Sequence, residues 1–259
     1  MRVVLFTSNA LRHKFVANAL ARKADAFLAV SECNTHDGGD PSKAQRSLIE
    51  EHFAMRNKTE QKLFAGHEAF SCPVVPLLYK EVNLDYTYQV VKAFKPDLMV
   101  CFGASIIREP LLSLLPAGHF INLHLGLSPY YRGAGTNFWP FVNKELEYVG
   151  STILHIDAGI DTGDIIAHVR PQFIPGDNVH QVGCRVIRDS VEQLGDLILR
   201  MKKGEPVNRV KQWDCPEAKI YRSRDFTEDV LRLYYKNLES GLVENYIHSK
   251  GKNIHLVGL

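Results

Sequence analysis

The segment DLMVCFGASIIREPLLSLLPAGHFINLH, Asp97 to His124, decides the fold. Asp97–Phe102 is a continuous apolar strand, Pro110–Leu115 reads as a short helix, and Phe120–His124 is a second strand. A strand with no polar alternation is buried on both faces, the condition of a parallel sheet covered by helices on each side. The same alternation runs back to the N-terminus. Strands are predicted at Arg2–Thr7, Ala26–Ser31 and Val74–Leu77. Helices are predicted at Ala10–Arg22, near Ser42–Ala65 after the polar loop CNTHDGGD, and at Asp85–Phe94. The expected fold is therefore α/β: a Rossmann-like, mostly parallel sheet with helices on both faces. Ligands of such sheets bind beyond the carboxyl ends of the strands.

Downstream of Pro140 the pattern changes. Gly150–Ile156 and Asp164–Arg170 read as two strands joined by DAGIDTG, whose glycines allow a tight turn. Asp177–Lys203 carries an acidic start, a helical apolar stripe, and then Gly204 as a stop. The expected division is a domain over residues 1–203 and a small, mainly helical segment over 204–259, with helices near Thr227–Asn237 and Leu242–His248.

Composition excludes several classes. Hydrophobic residues at 45% and charged residues at 23% are those of an ordinary globular chain. A net charge of +2 gives no electrostatic case for nucleic acid. No apolar run reaches the roughly 18 residues a membrane span needs, and MRVVLFTSNALRHK does not have the form of a signal peptide. The cysteines at 33, 72, 101, 184 and 215 are scattered and never paired as C-x-x-C, which suits free thiols in a cytoplasmic setting.

The chemistry concentrates where the decisive segment ends. Asn122 and His124 are two residues apart on a strand, so their side chains leave the same face at its carboxyl end. The DAGIDTG turn brings acidic residues, of which Asp161 suits catalysis while Asp157 and Asp164 suit turn formation. An amide, an imidazole and a carboxylate in one crevice fit acyl transfer: oxyanion stabilisation, proton handling and orientation of the ring. A metal site built from His155, Asp157, Asp161 and His168 is disfavoured, because alternating strand residues mostly pack; no metal is expected.

The string N-x-H, then S-P-x-x-R-G, then G-I-D-T-G-D resembles the formyltransferases that use 10-formyltetrahydrofolate, over roughly Val3 to Arg200. The resemblance implies Asn122, His124 and Asp161 as the catalytic trio. It further implies folate contacts, largely through backbone, at Ser105, Ile107, Asp157, Ala158, Gly159 and Ile160. Acceptor contacts fall at Ser8 and Asn9, where glycinamide ribonucleotide members read G-S-N and this chain reads Thr7-Ser8-Asn9, and at Tyr130 and Arg132. Arg12, His13 and Lys14 read as a solvated basic edge with a smaller chance of meeting a diphosphate.

Family members that act on tRNA would carry a basic C-terminal domain, whereas the segment from Gly204 holds nine Lys+Arg against eight Asp+Glu. The expected acceptor is therefore a nucleotide-linked amino sugar. The stretch GLSPYYRGAGTNFWP is similar to members acting on GDP-linked 4-amino-4,6-dideoxy sugars of O-antigen synthesis. Transfer to another amine, hydrolysis of the formyl donor, and a non-catalytic folate- or nucleotide-binding role are the rival readings. The apolar positions of VLRLYYKNL exceed what a short appendage buries within itself, so the tail must lie on the main domain or on a second subunit; a homodimer through this tail is expected, with folding back on its own subunit as the alternative.

Overall fold

The computed structural model describes residues 1–33, 47–249 and 251–259. The first half contains β1 (Arg2–Ser8), α1 (Leu11–Ala21), β2 (Ala26–Cys33), α2 (Leu48–Leu63), β3 (Val74–Leu78), α3 (Asp85–Phe94), β4 (Leu98–Cys101) and β5 (Phe120–His124). There follow β6 (Tyr131–Gly133), α4 (Trp139–Asn143), β7 (Ser151–His155), β8 (Ile165–Val169), α5 (Val179–Lys202), β9 (Lys219–Tyr221), α6 (Glu228–Glu239) and α7 (Leu242–Ser249). Seven strands form one sheet in the order β3-β2-β1-β4-β5-β7-β8, parallel from β3 to β5 and antiparallel across β7 and β8. The expected α/β, mostly parallel fold is the observed one. The start of the long helix expected from Ser42, and most of CNTHDGGD, lie outside the described residues.

The apolar strands are buried on both faces for the reason their sequence implies. On one face Val3, Leu5, Ala29, Val100, Ile121 and Leu123 meet Val16 and Leu20 of α1 and Ile187, Val191 and Leu194 of α5. On the other, Val4, Phe6, Val30, Met99 and Phe120 meet Val82, Val91 of α3, Ile107 and Leu111. Helix α5 begins with a capping box: Asn178 Oδ1 accepts from the backbone N–H groups of His180 and Gln181, and the Gln181 side chain returns the bond.

Pro110–Leu115 is not a helix. Its backbone bonds are isolated turns, Leu111 N–H to Arg108 O at 3.0 Å and Leu114 N–H to Leu111 O at 3.2 Å. The Ser113 hydroxyl donates back to Glu109, a local bond that competes with the helical pattern, and Pro116 has no N–H to continue it.

A second core lies beyond the sheet. Leu127, Tyr131, Phe138, Trp139, Phe141 and Tyr148 pack against Val179, Val182 and Val186 of α5, and against Leu231, Tyr234, Leu242 and Val243 of α6 and α7. The tail also pairs β9 with β6 in parallel and bridges Val210 to Ile165. Part of the apolar stripe expected at a second subunit packs on its own chain, with Leu231 at 0% and Tyr234 at 1% exposure, while Leu233 stays 45% exposed.

Three buried histidines give the fold an acid weakness. His168 donates from Nε2 to Ser128 O at 2.8 Å and accepts from Val257 N–H on Nδ1 at 2.9 Å, a set that only the neutral ring satisfies. Burial holds His168 and His52 down to about 4, and burial with its neighbour His52 and Arg56 takes His180 to about 3. The unfolded rings titrate near 6.5, so between these values the unfolded chain binds more protons. Stability is therefore expected to fall as the pH drops from about 6.5 toward 4, by up to about 1.4 kcal/mol per unit for each ring. Urea midpoints measured through that range check this; a flat profile contradicts it.

Candidate active site

Strand β5 alternates its side chains across the sheet. Ile121 and Leu123 enter the core beneath α1 and α5, so Asn122 and His124 emerge on the opposite side, at the carboxyl end. Asn122 Nδ2 donates to Asp161 Oδ1 at 3.1 Å, and His124 Nδ1 lies 3.3 Å from Asp161 Oδ2. The other imidazole nitrogen, Nε2, lies 3.1 Å from Tyr131 O. Both ring nitrogens thus face oxygens. The three residues named from sequence form one cluster, Asn122 hydrogen-bonded to Asp161 and the His124 ring at ion-pair distance from the same carboxylate.

Two glycines make the cluster possible. A Cβ at Gly126 would lie 2.6 Å from His124 Nε2, so the ring's position demands its absence. At Gly163 a Cβ would meet His155 O at 1.8 Å, where the loop after β7 crosses its own strand. Within that loop Asp157 Oδ1 accepts from Gly159 N–H at 2.9 Å and from the Thr162 hydroxyl at 2.8 Å, the expected turn-forming role. Asp161 itself sits at φ +54°, a left-handed conformation that Asp tolerates better than most residues.

Around the trio opens a cleft of about 610 Å³ with two arms. One is walled by Ser105, Ile106, Ile107, Ile156, Asp157, Gly159 and Ile160; Ile106 and Ile160, 59% and 61% exposed, offer it apolar surfaces. On this wall the buried Ser105 hydroxyl has no hydrogen-bond partner. The other arm runs toward α1, α2 and α5, where Arg12 Nη1 bonds Glu60 at 2.8 Å and Arg56 Nε lies 3.8 Å from the same carboxylate. Cys101 and Cys184 also line the cleft, but burial pushes both thiols up to about 12, which excludes a thiolate nucleophile.

Residues 1–196 match the family model described as formyl transferase. The chain belongs to the formyl transferase family. A methionyl-tRNA formyltransferase of Trichlorobacter lovleyi is 34% identical over 129 residues, 49% of this chain and 40% of that protein. The chain thus spans less than half the length of such curated relatives in the matched region. Among solved structures, a 4-N formyltransferase from Francisella tularensis superposes with a TM-score of 0.58 at 17% identity, covering 100% of this chain and 97% of the other. The formyltransferase PseJ from Anoxybacillus kamchatkensis, in complex with UDP-4,6-dideoxy-4-formamido-L-AltNAc and tetrahydrofolate, superposes with a TM-score of 0.53 at 17% identity, covering 93% and 95%. At these identities the likeness is one of fold.

Other residues singled out from the sequence of this formyl transferase family member are dispersed. Ser8, Ser105, Ile107, Asp157, Gly159 and Ile160 line the cleft, whereas Asn9, Ala158, Tyr130 and Arg132 are not in its lining. Tyr130 is only 4% exposed, its hydroxyl exchanging hydrogen bonds with the His255 backbone at 3.0 Å each way, so it packs the tail instead of facing a ligand. The Ser105 N–H is taken by Glu32 at 2.7 Å, and its hydroxyl is buried without a hydrogen-bond partner. His13 is not part of a solvated edge: it is buried against Thr7, and desolvation holds it neutral. Arg12 is paired, and only Lys14 reaches out to an exposed carbonyl. His155 and His168 are each bonded to backbone carbonyls away from Asp161. Sequence reasoning missed Ile106, Arg56, Glu60 and Gly183, since a helix in the second half and one after β2 carry no mark of converging on β5.

Proposed function

We propose that this formyl transferase family member moves the formyl group of 10-formyltetrahydrofolate to the amine of a nucleotide-linked amino sugar. The observation that carries the chemistry is the bonded trio of Asn122, His124 and Asp161 at the mouth of a two-armed cleft. The arm with Ile106, Ile160 and the unpartnered Ser105 hydroxyl suits a flat heteroaromatic ring with polar edges, as in folate. The other arm carries the Arg12 guanidinium beside Glu60, a group suited to an anionic acceptor such as a nucleoside diphosphate.

In the reaction the neutral sugar amine attacks the formyl carbon, and a tetrahedral oxyanion forms. The second N–H of Asn122 and the His124 imidazolium stabilise it. As the bond from carbon to N10 breaks, His124 gives its proton to N10, and the proton released by the amine returns through Asp161 to the ring. Nothing is consumed beyond donor and acceptor.

The finest reading of the acceptor is a GDP-linked 4-amino-4,6-dideoxy sugar, in surface polysaccharide synthesis within the cytoplasm. The sequence relatives named for methionyl-tRNA support a second reading, transfer to an aminoacyl-tRNA. A panel of GDP-, UDP- and dTDP-linked amino sugars and charged initiator tRNA, each with 10-formyltetrahydrofolate, decides between them by release of tetrahydrofolate. Arg12→Ala is expected to raise the acceptor KM about tenfold or more while moving the folate KM less than twofold, since one charge-assisted bond contributes roughly 1.5–3 kcal/mol. Equal effects on both substrates would contradict the assignment of the arms.

A further inference from the structure

We propose that Gln212, in the C-terminal segment, is a positioning residue for the catalytic carboxylate. The proposal rests on the trio's role in proton transfer given above. Asp161 and Gly163 turn their carbonyl oxygens toward one point, and the Gln212 side-chain amide donates to both, at 2.7 Å and 2.9 Å. Two carbonyls converging without a donor repel each other; one NH2 group with two N–H bonds satisfies both at once. Those carbonyls belong to the turn that holds Asp161 at φ +54°, a conformation needing outside support in a non-glycine residue. The same residue's carboxylate must keep contacts of 3.1 Å and 3.3 Å with Asn122 and His124.

Gln212 is itself held in place from both sides. Two residues before it, Val210 pairs with Ile165 in both directions, at 2.7 Å and 3.0 Å. Directly after it, Trp213 lies edge-on to His255, Tyr130 and His168. The amide is thus a fixed strut between the tail and the turn, and the tail acts on the reaction through the geometry of Asp161 without touching substrate.

The test compares Gln212→Glu, Gln212→Ala and the control Lys211→Ala. Glutamate has the same size but presents an acceptor where both carbonyls need a donor. The expected result is a fall in kcat of about tenfold for alanine and more for glutamate above pH 7, with both KM values within about twofold. Lys211→Ala is expected to match the wild type. The imidazole 15N resonances of His124, recorded without any substrate at one fixed pH, are expected to shift in both Gln212 variants, because Asp161 Oδ2 is no longer held 3.3 Å from Nδ1. Unchanged His124 resonances in Gln212→Glu overturn the proposal, whatever happens to turnover. Because this reading needs no acceptor, a wrong acceptor assignment leaves it standing, and unchanged resonances leave the acceptor assignment untouched.

Discussion

His124→Ala is expected to lower kcat by about 10²–10³-fold, and Asn122→Ala by a similar factor, the cost of removing one preorganised donor at a developing oxyanion. The ring is fixed between Asp161 Oδ2 and Tyr131 O, and Gly126 leaves room for it at a distance no Cβ would permit. Truncation removes the only imidazole bonded to Asp161 among the described residues and leaves the Asn122–Asp161 bond in place. The fold should survive, because neither sheet core contains the ring. Steady-state turnover with 10-formyltetrahydrofolate, alongside circular dichroism of the variant, is the check. Turnover near that of the wild type in His124→Ala would remove the trio from the mechanism.

Cutting the chain after Lys203 is expected to abolish the soluble folded protein. The deletion takes Leu231, Tyr234, Leu242 and Val243 out of the second core and uncovers Phe138, Trp139 and Phe141. Each lost large apolar side chain is worth roughly 1.5–3 kcal/mol, and their sum rivals the roughly 5–15 kcal/mol that a whole domain possesses. Light scattering on both chains gives the answer. The truncated chain should aggregate, and a monodisperse truncated protein with normal activity would mean that the second core contributes little. Light scattering on the full chain also tests the homodimer, for which Leu233, 45% exposed, is the part of the tail's apolar stripe still open.

The sheet was legible because its strands are nearly uniform: LMVC in β4 and VVLF within β1 admit no polar face, so only a doubly covered sheet accommodates them. The trio was legible because Asn122 and His124 share a strand and the acidic turn follows in order. Short pieces were not. Strands β6 and β9 have three residues each, too few for any period to register, and their pairing joins distant parts of the chain. Tyr130 was misplaced for a related reason: an aromatic beside an arginine on a loop looks like a ligand contact until the chain that covers it is known. The Ser105 backbone was misjudged because its partner, Glu32, lies at the end of another strand.

The parallel pairing of β6 with β9 has a consequence for how the chain folds as it is made. Strand β6 carries Tyr131, whose carbonyl faces His124, yet its pairing strand is Lys219–Tyr221. On a ribosome adding roughly 5–20 residues per second, strands β1 to β5 can assemble while that partner is still unsynthesised. The catalytic strand is then waiting in a finished sheet for a loop that cannot settle. Contacts so distant in sequence close late and slowly, so the Tyr131 carbonyl should settle beside His124 only after Lys219–Tyr221 has been made. Stalled chains ending before Lys219 would carry the whole trio and still be inert.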